Sequence, residues 1–209
     1  MAAGRPNGRP NSTQAPRRQR ARKRRDPIAE AREAYRPDRI RLVFVAEAPP
    51  PADSDRFFYF ENVHDADWLF LNLMRALYLD VSDTKLPKCI RERKRELLER
   101  FRADGFYLID ASDRPMPAAV TTPAGKCAIL ERALPALRST AAELSDGGRV
   151  PFILISVTVH DACRDALVRD GVNVLNSEPI PFPRQQWLEV FHERLGTLLR
   201  AHLVPTVSS

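Results

Sequence analysis

The sequence predicts an α/β domain of three layers, helix, sheet and helix, around a central four-stranded parallel sheet. Two observations carry this. Apolar, β-branched runs alternate with helical stretches through residues 40–203, the order that builds βαβ units. The runs "RLVFVA" and "VPFILISVTV" are apolar almost throughout, as in strands covered on both faces.

Residues 26–38 read as a short helical or irregular lead-in ending at Pro37. The first strand is Ile40–Ala46, followed by a loop over 47–63. The first long helix runs from about His64 to Leu79, with Asp65 and Asp67 near its positive N-terminus. Its "WLFLNLMRALYL" is apolar nearly all round, which suits a helix packed on two sides.

"PKCIRERKRELLERFRADG" is predicted as one helix, with Pro87 in its first turn, an Ile90, Leu97, Leu98 and Phe101 face, and Gly105 as its stop. Its charge run reads as a solvated face. "FYLID", 106–110, is the second strand. A helix over 124–144 follows, with Pro135 expected to kink or break it. "VPFILISVTV" is the third strand and leads into the helix "HDACRDALVRD". Gly171 ends that helix, "VNVLN" is the fourth strand, and "RQQWLEVFHERLGTLLRAHL" is the closing helix. Leu188, Phe191, Leu195, Leu198 and Leu199 form the apolar stripe of this last helix.

The net charge of +6 is unevenly placed. Residues 1–25 hold nine of the 33 Lys/Arg and no acid, so residues 26–209 carry 24 basic and 27 acidic side chains, a net of −3. A segment so rich in Arg, Pro, Asn and Gly has too little apolar surface to fold. The division predicted is a disordered basic tail over 1–38 and a domain over 39–204. The tail is either an arm that contacts nucleic-acid phosphates or a solvated extension without a task.

No apolar run approaches the length of a membrane span, and no apolar stretch follows the basic N-terminus as in a signal peptide. Cys89, Cys127 and Cys163 are odd in number and unpaired in spacing, as expected for reduced, mostly buried thiols of an intracellular protein. The eight glycines form no phosphate-binding loop, no serine nucleophile elbow is present, and the four histidines lack metal-ligand spacing. Neither metal nor cofactor is expected.

In open parallel sheets, ligands bind beyond the carboxyl ends of the strands. Those ends carry Glu47; Asp110, Ser112 and Asp113; Thr158, His160 and Asp161; and Asn176, Ser177 and Glu178. Asp161 suits a helix cap, His160 a cap or a surface position, and Asp110 a turn cap. Glu47 is the strongest functional candidate, because a carboxylate next to a buried strand loses hydration unless it is hydrogen-bonded or put to use.

The stretch "VFVAEAPP" resembles the "GEAPG" motif of the uracil-DNA glycosylase superfamily. "RFFYF" resembles the segment in which that superfamily stacks a Phe on an extruded base, and "FYLID" resembles its strand ending in a base-reading Asn. The resemblance extends over roughly 40–203. It implies a uracil-DNA glycosylase-like fold and hydrolysis of the N-glycosidic bond of a damaged or deaminated base flipped out of DNA. It further implies Glu47 as the carboxylate that stabilises the sugar cation and orients water, with Ala48 and Pro49 beside it at the substrate. Phe58 or Phe57 would stack on the base and Asp110 would contact its edge. Pro49 and Pro50 would stiffen the turn. DNA is the implied partner, the protein is implied to be a monomer, and its place is cytoplasmic or nucleoid-associated.

The sequence departs from the motif at Ala46 and Pro50, where the superfamily has Gly. Where it has a His-Pro-Ser loop, this chain has "NSEPIPFPRQQ" without His; there Pro181 and Phe182 would contact DNA, Phe182 as an apolar wedge. Asp110 stands in for Asn and, when ionised, only accepts hydrogen bonds. Three unrelated cysteines cannot form the four-cysteine cluster of the superfamily's iron–sulfur branch. The competing expectations are a catalytically inactive module that binds nucleic acid or a partner on the same fold, and an enzyme acting on free nucleosides.

Overall fold

The computed structural model describes Met1 and residues 26–51, 53–62 and 64–203. The arginine-rich segment 2–25, and with it the expectation of a disordered tail, lies outside the described residues. Four strands, β1 (Leu42–Ala46), β2 (Phe106–Asp110), β3 (Pro151–Leu154) and β4 (Asn173–Val174), form one sheet in the order β2-β1-β3-β4. All pairs are parallel. Every residue of β1 is buried, so both faces of the sheet are covered and the strand needs no polar alternation. The fold is therefore α/β, a parallel sheet flanked by helices, as the alternating pattern predicts.

The helices are α1 (Pro27–Ala34), α2 (Trp68–Leu77), α3 (Leu79–Ser82), α4 (Pro87–Glu92), α5 (Lys94–Ala103), α6 (Pro123–Leu144), α7 (Val157–Arg169) and α8 (Leu188–Leu203), with a 3₁₀ turn at Gln185–Trp187 before the last. α6 packs on α7, α2 on α8, and α5 on β2. α6 continues through Pro135 as one helix of 22 residues, so the expected break is absent.

Several boundaries differ from the sequence reading. α1 lies inside the segment assigned to the tail, yet Ile28 and Tyr35 belong to the core. Asp26 caps α1 by accepting from the Ile28 amide at 3.0 Å, and α1 thus belongs to the packed domain and not to a tail. The first strand begins at Leu42, two residues later than expected.

The third strand is shorter than its apolar run, because Ser156 adopts φ 100° and turns the chain into α7. "VTV" is the first turn of that helix, which an apolar run alone cannot distinguish from strand. The "PKCIRERKRELLERFRADG" helix is split at Arg93, whose ψ of 14° leaves the helical range.

The charge run of that segment is also not wholly solvated. Arg91 is buried, and Lys94 is 1 % exposed and ion-paired with buried Asp67. Lys94 Nζ donates to the Phe57 carbonyl at 3.3 Å as well. Arg93–Glu96, Arg95–Glu99 and Lys88–Glu92 form the exposed pairs.

"RFFYF" closes the outer edge of β2. The Tyr59 hydroxyl accepts from the Leu108 amide at 2.7 Å and meets the Leu108 carbonyl at 3.1 Å. The outward-facing groups of an edge strand are satisfied in this way. Phe58 packs edge-on against Tyr59, Phe70 and Phe101.

Candidate functional site

β1 lies between β2 and β3, so the residue after it stands at the middle of the sheet's carboxyl edge. That residue is Glu47. Its backbone is fixed from both sides: Ala111 and Ser112 donate to the carbonyls of Ala46 and Glu47 at 2.7 and 3.1 Å, and Ile155 donates to Val45 at 2.8 Å. Its carboxylate projects toward the start of α7 and toward α6. Oε1 accepts from Ser156 Oγ at 2.7 Å and from Thr158 Oγ1, and Oε2 accepts from Lys126 Nζ at 3.0 Å.

The opposing influences on this carboxyl can be ranked. Burial acts to raise its pKa and is the largest single influence. The hydrogen bonds from Thr158, Ser156 and Lys126, with the charge of Lys126, together outweigh it and bring the pKa below the ordinary value. Glu47 is thus an ionised, oriented acceptor at neutral pH, 19 % exposed in its side chain.

The local sequence explains each donor. Thr122 caps α6 by accepting from the Gly125 amide at 3.2 Å, which puts Lys126 one turn in, facing β1. Ser156 is the N-cap position of α7 but makes no side-chain cap. Its positive φ instead aims the hydroxyl at Glu47, a strained arrangement for a residue with a Cβ. The Ser156 amide donates to the Ile180 carbonyl at 2.8 Å and holds that geometry.

Two clefts open on either side. One of about 520 Å³ lies between the start of α7 and the segment leading into α8, lined by Ser156, Val157, Thr158, Asp161, Pro181 and Trp187 among others. The second, about 470 Å³, is lined by the triproline turn, Phe57, Phe58, Trp68, Asp110 and Met116 among others. Glu47, Lys126, Phe182 and Arg184 line both and form the wall between them.

Glu47, Ala48, Pro49, Phe57, Phe58, Asp110 and Phe182 are therefore brought to one cleft, and Pro181 to its neighbour. The roles implied for three of them need correction. Phe57 and Phe58 are 2 % and 5 % exposed, so they form the cleft's floor as core residues and offer no open ring face. Asp110 is 5 % exposed in its side chain and ion-paired with Arg32 of α1. Burial drives its pKa up to about 6 against the pull of the Arg32 guanidinium. A carboxylate held in this way does not present a free edge to a base.

Asp161 lies inside α7 and is not its cap. His160 Nε2 lies 3.0 Å from the Ser177 carbonyl, tying α7 to the loop after β4. Of the cysteines only Cys163 is buried, while Cys89 is exposed. Among the described residues no group of three His, Cys, Asp or Glu side chains could hold a metal, and no helix is long and apolar enough to cross a membrane.

Lys126, Ser156 and Arg32, the partners of the edge carboxylates, are not evident from the sequence. Each lies far along the chain from its carboxylate, 78 to 109 residues away, and only chain folding joins them. The one local signal was "LISVT", a polar pair interrupting the third apolar run.

No family model and no curated protein matches the chain.

Proposed function

We propose that this chain is a divergent uracil-DNA glycosylase-like hydrolase acting on the N-glycosidic bond of a damaged or deaminated base. The observation that carries this is an ionised carboxylate, fixed by three donors, on the wall between two clefts at the carboxyl edge of a parallel sheet. A flat base entering the cleft above Phe57 and Phe58 would bring its sugar toward that wall. The bond from C1′ to the base nitrogen breaks with both electrons leaving on the base, and C1′ becomes cation-like. Glu47 stabilises that charge and orients a water. The water oxygen bonds to C1′, its proton passes to solvent, and the base anion takes up a proton.

A second reading, a binding module without catalysis, is favoured by one observation: the Lys126 ammonium already neutralises Glu47. The test uses the full chain with single- and double-stranded oligonucleotides carrying uracil, hypoxanthine or xanthine, read by strand cleavage at the abasic site. Base release by wild type, reduced roughly 100-fold or more in Glu47→Gln, is the expected result. Binding without release supports the module. Release unaffected by Glu47→Gln removes Glu47 from the chemistry.

A further inference from the structure

We propose that Lys126 is the hydrogen-bond donor to the departing base, the partner in charge to Glu47. The inference rests on the glycosidase reading above and gives the second half of its charge separation a residue.

Breaking the C1′–N bond creates two charges at once. The cation forms on the sugar and the anion spreads over the base, largely onto its carbonyl oxygen. An ionised Glu47 serves the first and opposes the second. The anion needs a positive or hydrogen-donating group already aimed at the same wall, since a donor that must reorganise contributes far less.

The wall common to both clefts contains two such groups, Lys126 and Arg184. Arg184 is exposed and sits on the loop after Pro183. The Lys126 side chain is 22 % exposed and anchored 3.0 Å from Glu47 Oε2. The hydroxyls of Ser156 and Thr158 are spent on Glu47 Oε1.

An ammonium has three N–H bonds in a tetrahedral spread. The contact with Glu47 uses one of them, and a second can point into either cleft without breaking it. The result is an adjacent pair of opposite charges facing a bond that separates charge as it breaks. The ion pair with Glu47 holds the Lys126 amino group at the wall, where it acts as a hydrogen-bond donor. Its place in the first turn of α6, behind the Thr122 cap, gives the donor a rigid base.

A donor to the leaving group has a signature that a merely structural lysine lacks. Its removal costs most when the base is a poor leaving group and least when the base is acidic enough to depart unaided. A lysine that only positions Glu47 would slow every base equally and shift only the acid limb of the pH profile, because the carboxylate loses one of its three donors.

The experiment measures single-turnover release of uracil against the more acidic 5-fluorouracil, and of hypoxanthine against the more acidic xanthine. Wild type, Lys126→Met and Lys126→Arg are compared, with thermal midpoints to confirm folding. Lys126→Met is expected to lose roughly 100-fold or more on uracil or hypoxanthine and at least tenfold less on the acidic partner. Lys126→Arg should recover part of that loss. Equal losses on both members of a pair would overturn the donor role while leaving the glycosidase reading intact. Absence of release by wild type from all four bases would overturn the glycosidase reading, and the donor role with it.

Discussion

Replacing Asp110 by Asn should make the protein more stable at neutral pH, although it removes an ion pair. In the folded chain the Asp110 pKa is about 6, against an ordinary 3.8, because burial outweighs the attraction of Arg32. A carboxyl whose pKa rises on folding contributes stability that is full below the unfolded value. That contribution is lost as pH climbs toward the folded value. Between those limits the folded state holds the extra proton. From the two pKa values, the ionised carboxylate costs the fold about 3 kcal/mol at pH 7, about 1.6 kcal/mol at pH 5 and about 0.6 kcal/mol at pH 4.

Asparagine resembles the protonated acid, and its oxygen can still accept from Arg32. Asp110→Asn should therefore gain up to about 3 kcal/mol at pH 7, or roughly 6–12 °C in thermal midpoint for a chain of this size. The gain should fade toward pH 4. Urea unfolding of both proteins at pH 4, 5, 6 and 7.5 and constant ionic strength measures the difference directly. A difference independent of pH, or a variant less stable than wild type at pH 7.5, would show that burial does not raise the Asp110 pKa on folding. The first result would mean that the Arg32 pair offsets the burial of the charge, the second that it outweighs it.

Lys94→Met should cost about 3–5 kcal/mol in urea unfolding, because it strands the buried Asp67 carboxylate, whereas Lys94→Met with Asp67→Leu should recover most of that loss. Ser156→Gly should be more stable than Ser156→Ala by about 1 kcal/mol, since both lose the bond to Glu47 but only glycine accepts φ 100° without strain. Wild type keeps the stability contributed by Glu47 above its unfolded pKa and loses it as pH falls through the lowered folded value. In either Ser156 variant that acid loss should be smaller and complete at a higher pH, which a pH series of thermal midpoints will register.

The strand-helix alternation was legible in the chain because each signal is local. "LVFVA" and "FYLID" are apolar enough to require a covered sheet, and the apolar stripe from Leu188 to Leu199 matches one helix face. The position of Glu47 follows from the same logic, since a carboxylate directly after a buried strand must stand at the sheet's edge. "RFFYF" shows where local reading stops. Four aromatics in a row suit a stacking platform and a core cluster equally well, and the choice depends on the Leu108 backbone of a distant edge strand, which Tyr59 satisfies. The break at Arg93 was also hidden, as was the inward turn of the neighbouring Lys94 toward a carboxylate 27 residues away.

The parallel α/β arrangement, the edge that carries the polar strand ends, and Glu47 at its centre can all be read along the chain. That Lys126, Ser156 and Thr158 hold this carboxylate, that Arg32 occupies Asp110, and that Phe57 and Phe58 are closed into the core follows from folding alone. The physical reason is that burial and periodicity are recorded between neighbours in the chain. The partner of a buried charge, by contrast, is chosen by whichever distant segment folds against it.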